Sequence, residues 1–146
     1  MVAISTHLKL AFAWITYTNT LSVDKMRPLM SDNFISRLRP ASLGYEPVGK
    51  EPYLVRLAGA PIKNFNISLP RTEDIVEGKD AIQFYTTADG KTSHGFRWKN
   101  EYQFSFTFEG DKILSVTEFT DPTIIVDLLG KEATAAEAEL NCKGQA

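Results

Sequence analysis

From Phe96 to Glu109, apolar and polar positions alternate without a break. Phe96, Trp98, Asn100, Tyr102, Phe104, Phe106 and Phe108 share one face; Arg97, Lys99, Glu101, Gln103, Ser105, Thr107 and Glu109 share the other. A period of two sustained over that length predicts a long strand with one buried and one wet face. Glu109-Gly110-Asp111 breaks the run, and Lys112 to Thr120 reads as the returning strand. A three-residue loop sets Phe106 opposite Leu114, Phe104 opposite Val116 and Tyr102 opposite Glu118. A two-residue loop would set Phe106 opposite Ser115 and Phe104 opposite Thr117. The first register keeps apolar residues together and is preferred, because pairing follows the buried face. It also turns Glu118 to the aromatic side. A carboxylate there must be paired, hydrogen-bonded, neutral, or beside a water-filled pocket.

Upstream, the period lengthens. Leu8, Phe12 and Ile15, with Leu10, Trp14 and Tyr17, recur at helical spacing and predict a helix over Thr6 to Asn19. Ser22 is placed to cap a second helix running to Met30, with Asp24 in its first turn. Asn33 to Arg39 reads as a short strand ended by Pro40. Gly44, Pro47 and Gly49 make residues 41–49 a loop. Pro52 suits the first turn of a third helix, Lys50 to Ala58, which shows Tyr53, Leu54 and Leu57 on one side. Strands follow around Phe65, Ile67 and Leu69 and over Ala81 to Thr87, with a turn at residues 77–80 and a polar loop at residues 88–95 holding His94. Asp121-Pro122 ends the sheet, and Ile124, Ile125, Leu128 and Leu129 predict a closing helical turn. Residues 130–146 are helical by propensity but have almost no apolar face, so a loosely held polar tail is expected. Helices first and antiparallel strands afterwards imply an α+β fold. The architecture expected over residues 1–129 is a curved antiparallel sheet wrapped around N-terminal helices, a cone with an internal pocket.

Composition narrows the classes. The 146 residues suffice for one domain, and 43% hydrophobic with 23% charged residues is ordinary for a globular protein. A net charge of −2 with no basic block speaks against nucleic acid. The single cysteine, Cys142, permits no intrachain disulfide and fits a reducing, cytoplasmic compartment. Leu10 to Ile15 could pass for a signal-peptide core, but His7 and Lys9 enter the run and helical spacing favours an internal helix. No apolar segment approaches the roughly 20 residues of a membrane span. Two distant histidines and no Cys/His cluster predict no metal site, and no cofactor motif is present.

The order helix–helix–strand–helix–sheet resembles the ketosteroid-isomerase-like, or nuclear-transport-factor-two-like, cone. Asn100-Glu101-Tyr102, the hairpin Phe108-Glu109-Gly110-Asp111-Lys112-Ile113 and Glu118-Phe119-Thr120-Asp121 resemble the SnoaL-like polyketide-cyclase branch. Arg39-Pro40-Ala41-Ser42-Leu43-Gly44 is similar to a fungal subgroup of that branch. The resemblance implies a ligand pocket between the helices and the concave sheet face, and a homodimer paired through the outer face. The pocket wall here is mostly aromatic, with no equivalent of the Asp–Tyr pair of ketosteroid isomerase.

Against that background Glu118 is the first candidate for a proton-transfer group, since an apolar cone raises a carboxyl's pKa toward neutrality. Tyr102 is expected opposite, to polarise a carbonyl or relay a proton. Arg37 or Arg39 is expected at the mouth, to hold an anionic oxygen. Trp14, Tyr17, Tyr53, Phe104 and Trp98 offer aromatic surface to a flat ligand, Asn100 a carbonyl-orienting amide, and His94 a group near the mouth. The leading expectation is a cofactor-independent isomerase, cyclase or dehydratase acting on a small hydrophobic, oxygenated, polyketide- or terpenoid-like metabolite. The alternative is a non-catalytic ligand-binding or interaction module on the same fold.

Overall fold

The computed structural model describes residues 3–145. Ser5 starts helix α1 (Thr6–Asn19): its Oγ accepts the Leu8 N–H at 3.0 Å. Leu8, Ala11, Trp14, Ile15 and Thr18 of α1 are buried, as the helical spacing predicts. The expected second helix is cut short. α2 spans only Val23–Met26, then Arg27–Leu29 tightens into a 3₁₀ turn and Met30 already starts strand β1 (Met30–Arg39). Pro28 supplies no N–H and blocks a longer helix. After the turn at Ala41–Leu43 come β2 (Val48–Gly49) and α3 (Lys50–Ala58), the latter within its expected bounds.

The remaining strands are β3 (Ile62–Ile67), β4 (Ile75–Glu77), β5 (Ala81–Thr92), β6 (Arg97–Glu109) and β7 (Lys112–Thr120). They form a seven-stranded sheet in the order β2-β1-β7-β6-β5-β3, with β4 also paired to β5. The fold is α+β and mostly antiparallel, but β1 runs parallel to β7, with Leu38 beside Glu118. β5 continues through the stretch expected to be loop. Gly90 makes this possible, because a Cβ there would stand 2.7 Å from the Phe65 Cα of β3.

Period-two burial holds along β6: Asn100, Tyr102, Phe104, Phe106 and Phe108 are buried, and Glu101, Gln103 and Glu109 are exposed. Their rings meet α1 at Trp14, whose centroid lies 5.7 Å from Phe104 and 5.5 Å from Phe106 in edge-on contacts. Fully burying one such ring contributes about 1.5–3 kcal/mol, which makes this layer the main support of the fold.

The β6–β7 register differs from the expected one. The turn holds two residues, so Glu109 pairs with Lys112 and Phe108 with Ile113. A bulge then inserts Leu114, after which Thr107 pairs with Ser115, Phe106 with Val116, Phe104 with Glu118 and Tyr102 with Thr120. A two-residue turn alone would have aimed Glu118 outward. The added residue restores the parity, so Glu118 shares the aromatic face but stands opposite Phe104 rather than Tyr102.

Helix α4 (Pro122–Gly144) is continuous, so the boundary expected at residue 129 falls inside a helix. The Asp121 carboxylate caps it through the Thr123 N–H at 2.9 Å. The stretch expected to hang loose is tied down by polar contacts through His94. Glu132, 7% exposed, meets His94 Nδ1 at 2.7 Å, and His94 Nε2 lies 3.1 Å from Glu139. Among the described residues no helix is long and apolar enough to cross a membrane.

Candidate functional site

Between α1, α3, the concave face of the sheet and the start of α4 lies a cavity of about 320 Å³, at the small end of ligand sites, which run from about 300 to 1,000 Å³. Leu38, Leu57, Ile62, Phe65, Ile67 and Ile125 give it an apolar wall. The polar groups that reach it are Thr18, Tyr45, Tyr53, Arg56, Trp98, Tyr102, Glu118 and Thr120. Tyr45, Arg56 and Gly59 are exposed and form the mouth.

Glu118 reaches this space because β7 alternates Val116, Glu118 and Thr120 inward after the bulge. Its carboxylate has no hydrogen-bond or ion-pair partner among the described residues. It is half-buried and lines the cavity. Desolvation therefore dominates and pushes its pKa up to about 7, opposed by the Arg56 guanidinium. At neutral pH the group divides between its acid and base forms, the condition under which it can both give and take a proton.

Tyr102 is held by a directional contact. Trp98 Nε1–H donates to its hydroxyl oxygen at 3.1 Å. An indole nitrogen only donates, so the Tyr102 O–H is left to point elsewhere. Thr120 stands beside it with its own proton given to the Glu101 carbonyl at 3.0 Å, so the threonine oxygen can only accept. Burial, and then the Glu118 charge, push the Tyr102 phenol far above its ordinary value, so it stays protonated as a donor. Tyr53 is likewise raised by burial and by Glu118, and its hydroxyl neighbours Thr18, whose proton goes to the Trp14 carbonyl at 2.8 Å.

Of the expected site residues, the structure brings Glu118, Tyr102, Tyr53 and Trp98 to one cavity. The others lie elsewhere. Arg37 and Arg39 alternate with Leu38 on β1 and so face away from the cavity; the cavity's arginine is Arg56. Trp14 and Phe104 are 0% exposed and belong to the core. Tyr17 is half-buried against the core without lining the cavity. Asn100 ties the strand end, donating to the Asp121 carbonyl at 3.3 Å and accepting the Glu101 N–H at 2.8 Å. His94 is occupied by Glu132 and Glu139 on the α4 side. Sequence reasoning missed Arg56, although a helical period places it one turn after Tyr53 on the same side. It also missed Thr18, one turn after Trp14, and Thr120, two residues beyond Glu118.

No family model matches the chain. The monooxygenase ptaG of Pestalotiopsis fici is 28% identical over 104 residues, spanning 68% of this chain and 72% of that protein. Among solved structures, the BvnE pinacolase of Penicillium brevicompactum superposes with a TM-score of 0.74 at 24% identity, over 90% of this chain and 96% of that one. An NTF2-like protein of Cytophaga hutchinsonii superposes with a TM-score of 0.62 at 16% identity, over 86% and 97% of the two chains. With its helices packed into a mostly antiparallel sheet around a ligand-sized cavity, the chain has the nuclear-transport-factor-two-like, SnoaL-like fold.

Proposed function

We propose that this protein is a cofactor-independent isomerase or cyclase that moves a proton on a small hydrophobic, oxygenated, polyketide- or terpenoid-like secondary metabolite. The observation that carries the reading is Glu118: a carboxyl in an apolar cavity, unpartnered among the described residues, with its pKa pushed up to about 7. Such a group costs stability and earns no structural bond, which favours a chemical role over a structural one. Glu118 takes a proton from, or gives one to, the ligand. Tyr102 donates its hydroxyl proton to a ligand oxygen as negative charge grows there, with the oxygen end of the phenol fixed by Trp98. The pinacolase likeness supports a rearrangement, since that chemistry also turns on proton movement at oxygen.

The test uses a panel of α-hydroxyketones and cyclic enones incubated with the protein in D₂O, with solvent deuterium in recovered ligand read by mass spectrometry. General acid–base catalysis contributes about 10²–10⁴-fold, so Glu118→Gln should slow incorporation by at least about 100-fold. A folded Glu118→Gln protein with full turnover sinks the reading. Oxygen uptake with a product one oxygen heavier points instead to the reaction for which the P. fici relative is named.

A further inference from the structure

Among the described residues, Arg56 is the one cation lining the cavity, and it is poorly used by the protein. Its Nη2 donates a single long hydrogen bond to Ser36 Oγ at 3.4 Å, and it makes no ion pair among the described residues. Arg27, Arg71 and Arg97, by contrast, each hold a carboxylate. Arg37 and Arg39 also lack one, but they lie on the other side of β1. Arg56 does not close onto Glu118 either, although the two groups share one cavity wall. Its guanidinium carbon sits over the Tyr53 ring at 5.7 Å, which leaves most of the five N–H donors free at the mouth. Below it the wall turns apolar at Leu57, Ile62 and Phe65.

We propose that the ligand of this cavity is an organic acid, a carboxylate or acidic enol, whose anionic oxygens are held by Arg56 at the mouth while its apolar body fills the interior. A planar guanidinium matches two oxygens of one carboxylate, and a small cavity with one cation at its rim suits a molecule that is charged at one end. This deepens the reading above, for it names the ligand class of that same site. It also couples anchoring to chemistry. The titratable groups facing Glu118 are Tyr53 and Arg56 from α3, Tyr102 from β6 and Tyr45 from the loop before β2. Burial keeps the Tyr53 and Tyr102 phenols neutral, so Arg56 is the charge that favours ionised Glu118. A ligand anion on Arg56 neutralises that influence and adds a negative charge, so binding draws a proton onto Glu118 and leaves it ready as an acid.

Cinnamate and its uncharged analogue cinnamamide are the probes, titrated calorimetrically at pH 7.5 in triethanolamine and in Tris, two buffers without a competing oxyanion whose ionisation enthalpies differ. The expected result is at least tenfold tighter binding of the acid, with proton uptake shown by a buffer-dependent heat. Arg56→Gln removes the preference and Arg56→Lys keeps part of it; both substitutions are at an exposed position, where a change usually alters stability by no more than about 0.5 kcal/mol. Glu118→Gln keeps the acid preference and loses the proton uptake. Equal affinities, binding of neither probe, or a preference unchanged in Arg56→Gln overturns the proposal. Turnover plays no part in this readout: an acid preference alongside full activity of Glu118→Gln would leave the anchor standing and the catalytic reading refuted, and the reverse pattern would do the opposite.

Discussion

Replacing Glu118 by glutamine should stabilise the protein, and only at high pH. In the folded chain the carboxyl titrates near 7 instead of its ordinary 4.5, because burial disfavours the ion. The unfolded chain ionises at the ordinary value. Between the two values the folded state holds a proton that the unfolded state has lost, so stability falls as pH rises through that window and then levels off. Each unit of difference is worth about 1.4 kcal/mol, which places the full penalty at about 3 kcal/mol, and nearer 2 once water in the cavity is allowed for. Glutamine keeps the shape and never ionises. The assay is urea unfolding of both proteins at several values between pH 4.5 and 9. The wild-type and variant midpoints should nearly coincide at the acid end, and the variant should gain about 2–3 kcal/mol at the alkaline end. A variant less stable than wild type at pH 9, or a difference that does not change with pH, would show that Glu118 is held ionised by a partner and would remove the basis for its chemistry.

Two further outcomes follow from the same geometry. His94 titrates above its ordinary value because Glu132 and Glu139 bond to its ring, so its contribution is complete below the unfolded imidazole value, about 6.5, and is lost as pH rises through the higher folded one. Amide exchange in residues 132–144, corrected for intrinsic rates, should therefore be faster at pH 8.5 than at pH 6, and His94→Gln should abolish the difference; equal protection at both pH values would contradict the clamp. Phe104 is 0% exposed and touches Trp14, Phe84 and Tyr102, so Phe104→Ala should cost about 3–5 kcal/mol in thermal or urea unfolding. A loss below about 1 kcal/mol would show that the aromatic layer can collapse around the gap.

What the sequence reveals here is set by the range of each interaction. The aromatic row of β6 and the apolar positions of α1 and α3 repeat at the period of their own element, so they are legible locally. Glu118 could be aimed correctly because the assumed and the observed pairings differ by two residues, an even number that leaves every side chain on the same face. The Leu114 bulge has no local mark, for Leu114 opposite Phe106 and Val116 opposite Phe106 keep apolar residues together equally well. The parallel pairing of β1 with β7 joins segments about eighty residues apart and depends on what α3 covers. That topology decides which residues of β1 face the cavity, and so it hid the difference between Leu38 and its flanking arginines. The start of α4 is buried through Ile125 and Leu128, which the apolar pattern shows; the hold on its far half is a carboxylate clamped on a histidine. Hydrophobic patterning carries no trace of such a contact.

The bulge at Leu114 makes the aim of Glu118 depend on a residue that does not line the cavity. Loss of one codon there would turn the acid to the solvent side while every lining side chain from the helices kept its identity. Gain of the codon would reverse the change in one step. Reactivity in this architecture can thus be switched by chain length alone, and a comparison of binding residues between two such proteins would overlook it. Spacing between the turn and the acid is the quantity to count.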